Sequence, residues 1–110
     1  MASSLVNESC QPLTKADPAL SREQIQALLN DTPNWQYQDN NTIVCEFQFK
    51  NYYQTMAFVN AVAWIAHQQD HHPDMLVTYN RCTITYSTHS VGGLSRNDFI
   101  CAAKIDQLLS

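Results

Sequence analysis

Basic residues are scarce in this chain: six Lys and Arg stand against ten Asp and Glu in 110 residues, for a formal charge of −4. The six, Lys15, Arg22, Lys50, Arg81, Arg96 and Lys104, are also scattered. No basic stripe is available to displace counterions from a phosphate backbone, which argues against direct nucleic-acid binding. Cysteine is equally sparse. Cys10, Cys45, Cys82 and Cys101 include no C-x-x-C pair and no close spacing, which excludes a zinc-finger pattern and a dense disulfide framework. No run approaches the ~18 apolar residues of a membrane span. The opening Met-Ala-Ser-Ser-Leu-Val-Asn-Glu lacks the basic start and apolar stretch of a secretory signal. The expectation is a reduced, cytoplasmic protein with no membrane association. The only two glycines, Gly92 and Gly93, are adjacent and mark one flexible connection.

With 45% apolar and 15% charged residues, the chain has enough material for one core and too little for two. Residues 1–19 are polar and aperiodic, with Pro12 and Pro18, and read as a loose N-terminal arm before a single domain at 20–110. Ser21 and Gln24 have the spacing of a capping box, followed by the apolar stripe Ile25, Leu28 and Leu29. Asn30-Asp31-Thr32-Pro33 stops that helix. Trp35 and Tyr37 then alternate with glutamines, Asp39-Asn40-Asn41 supplies a turn, and Ile43, Cys45, Phe47 and Phe49 alternate with polar neighbours. That is a hairpin with one buried face, and Trp35 as its anchor reads as core rather than pocket wall.

From Asn51 the period lengthens. Tyr52, Met56, Val59, Val62 or Ala63, and Ala66 recur at helical spacing, with Phe58, Ala61 and Ile65 widening the face. A helix of about four to five turns fits, ending near Asp70 because the residue before Pro73 is pushed out of the helical region. Met75, Val77 and Tyr79, a tight turn at Asn80-Arg81, and Cys82, Ile84 and Tyr86 make a second hairpin. Ser95 and Asp98 have capping-box spacing at the start of a closing helix with Phe99, Ala102, Ala103, Ile105 and Leu109 on its apolar face. Phe99, Ile100, Cys101 and Ile105 give that helix more than one apolar side, which either offers a surface for self-association or is taken up by ordinary core packing. The order α-β-β-α-β-β-α predicts an α+β domain: a four-stranded antiparallel sheet with helices packed on one face.

All four histidines, His67, His71, His72 and His89, lie within 23 consecutive positions of a chain otherwise poor in titratable groups. Imidazole titrates near neutral pH, so the cluster points to proton transfer or to metal binding. A metal-free acid–base pair is one reading. A metal site is another, since His67 and His71 are spaced i, i+4, with His89 as a third ligand. A cluster of caps and turn hydrogen bonds is the third. Against the metal site, positions 68–70 read Gln-Gln-Asp, without the glutamate of H-E-x-x-H.

Asp70-His71-His72-Pro73-Asp74, Val77-x-Tyr79-Asn80, Ser87-Thr88-His89, Gly93-Leu94-Ser95-x-x-Asp98 and Ala102-x-x-Ile105 share a spacing with one known family. Together with Trp35 and Phe47-x-Phe49-Lys50, they make the chain resemble the pterin-4a-carbinolamine dehydratases over roughly residues 20–109. That family is also known as dimerisation cofactors of a homeodomain transcription factor. The resemblance implies the same α+β fold and dehydration of 4a-hydroxytetrahydropterin (4a-hydroxytetrahydrobiopterin) to quinonoid dihydropterin and water. It implies a hydro-lyase that recycles the pterin of aromatic amino-acid hydroxylases without metal or organic cofactor, as a homodimer or homotetramer. Carried over, the pterin-binding segments are Asp70, His71, His72 and Ser87, Thr88, His89, Ser90, and the catalytic histidines are His71, His72 and His89. Many members carry a glutamate where this chain has His67; a carboxylate there that orients a catalytic imidazole would make His67 a change in the pocket's charge balance, and the expectation is instead that His67 is a bystander on the exposed helix face. The resemblance also implies an alternative: a dimeric protein-binding module, coactivator-like, without significant catalysis. A metal-dependent hydrolase is a third class.

Overall fold

The computed structural model describes residues 4–38 and 41–110. Seven principal elements follow the expected order: α1 (Arg22–Asp31), β1 (Gln36–Gln38), β2 (Thr42–Gln48), α2 (Tyr52–Gln69), β3 (Asp74–Val77), β4 (Arg81–Tyr86) and α3 (Arg96–Gln107). Each helix begins where the sequence provides a cap. Ser21 Oγ accepts from the Gln24 amide at 3.2 Å while Gln24 Oε1 accepts from the Ser21 amide at 2.8 Å, and Asn51 accepts from the Gln54 amide at 2.9 Å. These side chains occupy donors that a helix start leaves without intrahelical partners. The expected turn residues Asp39 and Asn40 lie outside the described residues, and Asn41 closes the first hairpin in a left-handed conformation at φ 64°.

The strands form one antiparallel sheet in the order β1-β2-β4-β3. The two central strands pair Ile43 with Tyr86, Cys45 with Ile84 and Phe47 with Cys82. All six side chains are buried on a common face, as the period-2 alternation requires. Phe58, Val62 and Ile65 of α2 and Phe99, Ala102 and Ile105 of α3 complete the core over that face. Trp35 is 3% exposed, packs edge-on against Phe47 and donates its indole N–H to Asp106 at 2.9 Å. It is a core residue.

Three expectations are corrected. The buried stripe of α2 runs through Thr55, Phe58, Val62, Ile65 and Ala66, whereas Tyr52 lies outside the core, half exposed, its ring stacked on Tyr79. A helix apolar over most of its circumference does not reveal from spacing alone which stripe meets the sheet. The N-terminal segment, expected as a loose arm, is ordered against α3. Leu5 sits in a 3-10 turn (Ser4–Asn7) at 1% exposure, and Lys104 donates to the Val6 carbonyl at 2.8 Å. Gln11 and Asn97 exchange two hydrogen bonds, and Glu8 forms a bidentate pair with Arg96. The second apolar side of α3 is thus covered within the chain itself, with Ile100 and Cys101 at 2% and 0% exposure, and it presents no free surface for self-association.

Candidate active site

The site begins where α2 stops. Asp70 adopts a left-handed conformation at φ 52°, one of the few non-glycine types that tolerates it. The amide of His71 then reaches back to the Ala66 carbonyl at 3.1 Å, the six-to-one closure of a Schellman turn. This reversal separates two adjacent histidines. His71 is turned into the domain with its side chain 13% exposed, while His72 points to solvent. It also decides the spacing argument for metal. His67 and His71 do not share a helical face, because the helix ends at Gln69, before His71. His67 is exposed beside Trp64, ring centres 5.8 Å apart.

His71 meets Asp98 through Nε2 and Oδ1 at 2.6 Å. Asp98 is the third residue of α3, and its carboxylate is fully buried. Its other oxygen, Oδ2, accepts from the Ser95 amide at 2.9 Å and from the Thr88 hydroxyl at 2.8 Å. One carboxylate therefore closes the α3 capping box, holds the Thr88 loop and orients an imidazole. Thr88 and Ser95 also share a hydroxyl contact at 2.6 Å. The Tyr86 ring lies nearly parallel to the imidazole, 5.1 Å away with planes 17° apart, and its hydroxyl donates to the His71 carbonyl at 3.2 Å. His71 is thereby fixed at its ring face, its carbonyl and one ring nitrogen.

Burial alone would push the His71 imidazole down, but the Asp98 hydrogen bond and negative charge outweigh it and hold the group above its ordinary 6.5. Nε2 is engaged by Asp98, which leaves Nδ1 as the ring nitrogen that does not face that carboxylate.

The loop after β4 brings in the second expected segment. Thr88 pairs with Gly93 in an isolated bridge, and between them His89–Val91 forms a 3-10 turn closed by Gly92 at φ 71°. A side chain at Gly92 would be strained by that left-handed backbone. His89 and Ser87 are exposed on this loop and Ser90 is half-buried. Asp98 therefore brings two of the expected segments together, since His71 and Thr88 bond the two oxygens of one carboxylate. Asp70 stands apart from that network, and its role in the fold is to turn the backbone.

Two residues that hold His71 are not among the expected site residues. Asp98 stands in the sequence as a capping-box acid and a motif position, with nothing local to link it to an imidazole. Tyr86 is legible there only as an inward-facing strand residue. Among the described residues, no group of three or more His, Cys, Asp or Glu side chains is gathered in a way that could hold a metal ion. Among them too, no helix is long and apolar enough to cross a membrane.

Residues 18–108 match the family model described as pterin 4 alpha carbinolamine dehydratase. A protein of Nitrosospira multiformis named "Putative pterin-4-alpha-carbinolamine dehydratase" is 59% identical over 104 residues, covering 94% of this chain and 91% of that protein. A relative of the same name from Nitrosomonas eutropha is 57% identical over 106 residues, covering 96% and 93%. Among solved structures, a transcriptional coactivator/pterin dehydratase from Brucella melitensis aligns with a TM-score of 0.80 at 29% identity, over 84% of this chain and 99% of that one. A pterin dehydratase-like protein identified as a RuBisCO assembly factor in the alpha-carboxysome aligns at 0.60 and 25% identity, over 68% and 88%.

Proposed function

The chain belongs to the pterin 4 alpha carbinolamine dehydratase family, and on that footing we propose that it dehydrates 4a-hydroxytetrahydropterin by histidine acid–base catalysis. The observation that carries the reading is the buried His71–Asp98 pair, tied through Thr88 to the loop that bears His89. The reaction breaks the C4a–O bond and removes the N5 proton, leaving quinonoid dihydropterin and water. Hydroxide is a poor leaving group, so the departing oxygen needs a proton, and positioned acids and bases contribute about 10²–10⁴-fold each. His71, held toward its protonated form by Asp98, is suited to protonate that oxygen from Nδ1. His72, the next residue, and His89, on the loop that Thr88 ties to Asp98, are both exposed; they supply the base on the other side of the ring and help bind it with Asp70, Ser87, Thr88 and Ser90. The reaction calls for no metal or organic cofactor.

In this reading the enzyme is cytoplasmic and recycles the pterin released by an aromatic amino-acid hydroxylase. It acts as a homodimer or homotetramer. Tyr53, Trp64, Leu76 and Tyr79 are more than half exposed, and β3 is an edge strand, a surface that self-association would cover. The same residues support a second reading, a protein-binding module, since the two solved relatives are described as a coactivator and as an assembly factor.

The deciding assay generates 4a-hydroxytetrahydropterin in situ with a hydroxylase and follows its ultraviolet decay. Decay accelerated by the protein and unaffected by chelator is the expected result. No acceleration over buffer would leave the binding module as the surviving reading, and acceleration abolished by chelator would require a metal. Sedimentation of the same sample gives the oligomer.

A further inference from the structure

The dehydratase chemistry uses none of the four cysteines, and two of them meet. Cys10, in the N-terminal arm, lies with its sulfur 3.6 Å from that of Cys101 in the middle of α3, across 91 positions of sequence. Cys45 and Cys82 are buried on the sheet, and all four thiols are free. We propose that Cys10 and Cys101 are a modification site: hydrogen peroxide converts them reversibly to an intramolecular disulfide that latches the arm onto α3.

The geometry supports this independently of the dehydratase reading. Both thiols are held. The Cys10 amide donates to the Gln69 side chain at 2.8 Å, its sulfur contacts the Asn97 carbonyl at 3.6 Å, and Cys101 is fixed by the helix. The sulfurs need to close by about 1.5 Å to reach the ~2.05 Å of a bond, and the arm, docked mostly through polar contacts, is the part that can move. Access is one-sided. Cys101 is fully buried and Cys10 partly exposed, so an oxidant meets the pair at Cys10.

The electrostatics favour one thiolate in the pair. The contact with the Cys10 thiol, the neighbouring Tyr86 hydroxyl and the His71 charge together outweigh burial and lower the Cys101 thiol below its ordinary value. Cys10 as donor is pushed the other way. The Cys10 thiol, the one an oxidant can reach, first passes its proton across the 3.6 Å contact to the Cys101 thiolate. The Cys10 thiolate then attacks hydrogen peroxide: the O–O bond breaks, a sulfenic acid forms, and the hydroxide released takes a proton from solvent as the first water. The Cys101 sulfur then attacks the Cys10 sulfur. The S–S bond forms, the S–O bond breaks, and the departing hydroxide takes the proton given up by Cys101 as the second water. Two thiols are oxidised by two electrons and one peroxide is reduced. Dithiothreitol reverses the change.

The latch also bears on the candidate site, because Tyr86, whose ring stacks on His71, feels the Cys101 sulfur as well. The Cys101 charge is one of the influences that raise His71, so oxidation removes it and lowers the imidazole titration.

The test treats the full-length protein with hydrogen peroxide, alkylates remaining thiols after denaturation and maps peptides without reduction. The expected result is a Cys10–Cys101 linkage with a loss of two hydrogens, Cys45 and Cys82 alkylated, and reversal by dithiothreitol. Closing so long a loop should raise the melting temperature by more than about 5 °C, and Cys10→Ser should show neither linkage nor shift. Cys10→Ser alters only a partly exposed position, and the linkage map on the unmutated protein stands without it. Four alkylated thiols after peroxide would overturn the proposal. So would Cys10 halted as a sulfinic acid beside a free Cys101, or a linkage through Cys45 or Cys82.

Discussion

His71 and Asp98 are 27 positions apart in sequence and 2.6 Å apart in the fold, and the carboxylate that orients the imidazole also caps the helix it starts. Fold and site thus share one buried group. Its environment is saturated by His71, Thr88 and Ser95, so a change at Asp98 is felt in both stability and chemistry.

Replacing Asp98 with Asn retains an acceptor for the Ser95 amide and removes the negative charge that raises the His71 titration. Stability is expected to fall by about 1–3 kcal/mol and kcat roughly 10²-fold, with KM much less changed. Imidazole titration followed by NMR should move His71 downward. An unmoved His71 titration would show that Asp98 does not set its charge.

Stability should depend on pH through His71. Its pKa in the folded protein is raised, because Asp98 outweighs burial. The native state therefore binds this proton more tightly than the unfolded chain does. The resulting stabilisation is complete below the unfolded value of ~6.5 and is lost as pH rises through the folded one. Urea unfolding of the unmutated protein and His71→Asn, compared from about pH 5 to about pH 9, should show their stability difference shrinking with pH. A constant difference would contradict this.

The three exposed histidines should separate by function and not by folding. His72→Ala and His89→Ala are expected to lower kcat by about 10²–10⁴-fold, whereas His67→Ala, beside Trp64 on the helix surface, costs far less. All three side chains are exposed, so melting temperatures should hardly change. Comparable kcat losses for all three would place His67 in the site.

The docked arm has a direct test in Leu5, which is 1% exposed. Leu5→Ala should cost about 2–5 kcal/mol in denaturant unfolding. A cost within about 0.5 kcal/mol, as for a surface position, would mean that the arm contributes nothing to the fold in solution.

What the sequence by itself determined are the features set by neighbours a few positions apart. Alternation at Ile43, Cys45 and Phe47 and at Cys82, Ile84 and Tyr86 set which strand faces are buried, and Ser21, Asn51 and Ser95 set where the helices start. Pro73 and the residues before it set where α2 stops. The motif residues carried the family assignment for the same reason, since each motif is a short run at defined spacing. Only the tertiary structure decided that α2 turns Tyr52 away from the core and that Leu5 and Cys10 cover the second side of α3. It alone separated His71 from His72 and joined His71 to Asp98. Such contacts depend on how the helices and the arm lie on the sheet, and a hydrophobic period repeats within one element without stating what packs against it. The histidine run pointed to the candidate site. Asp98, a cap in sequence and a buried counter-charge in the fold, shows which histidine the domain was built to hold.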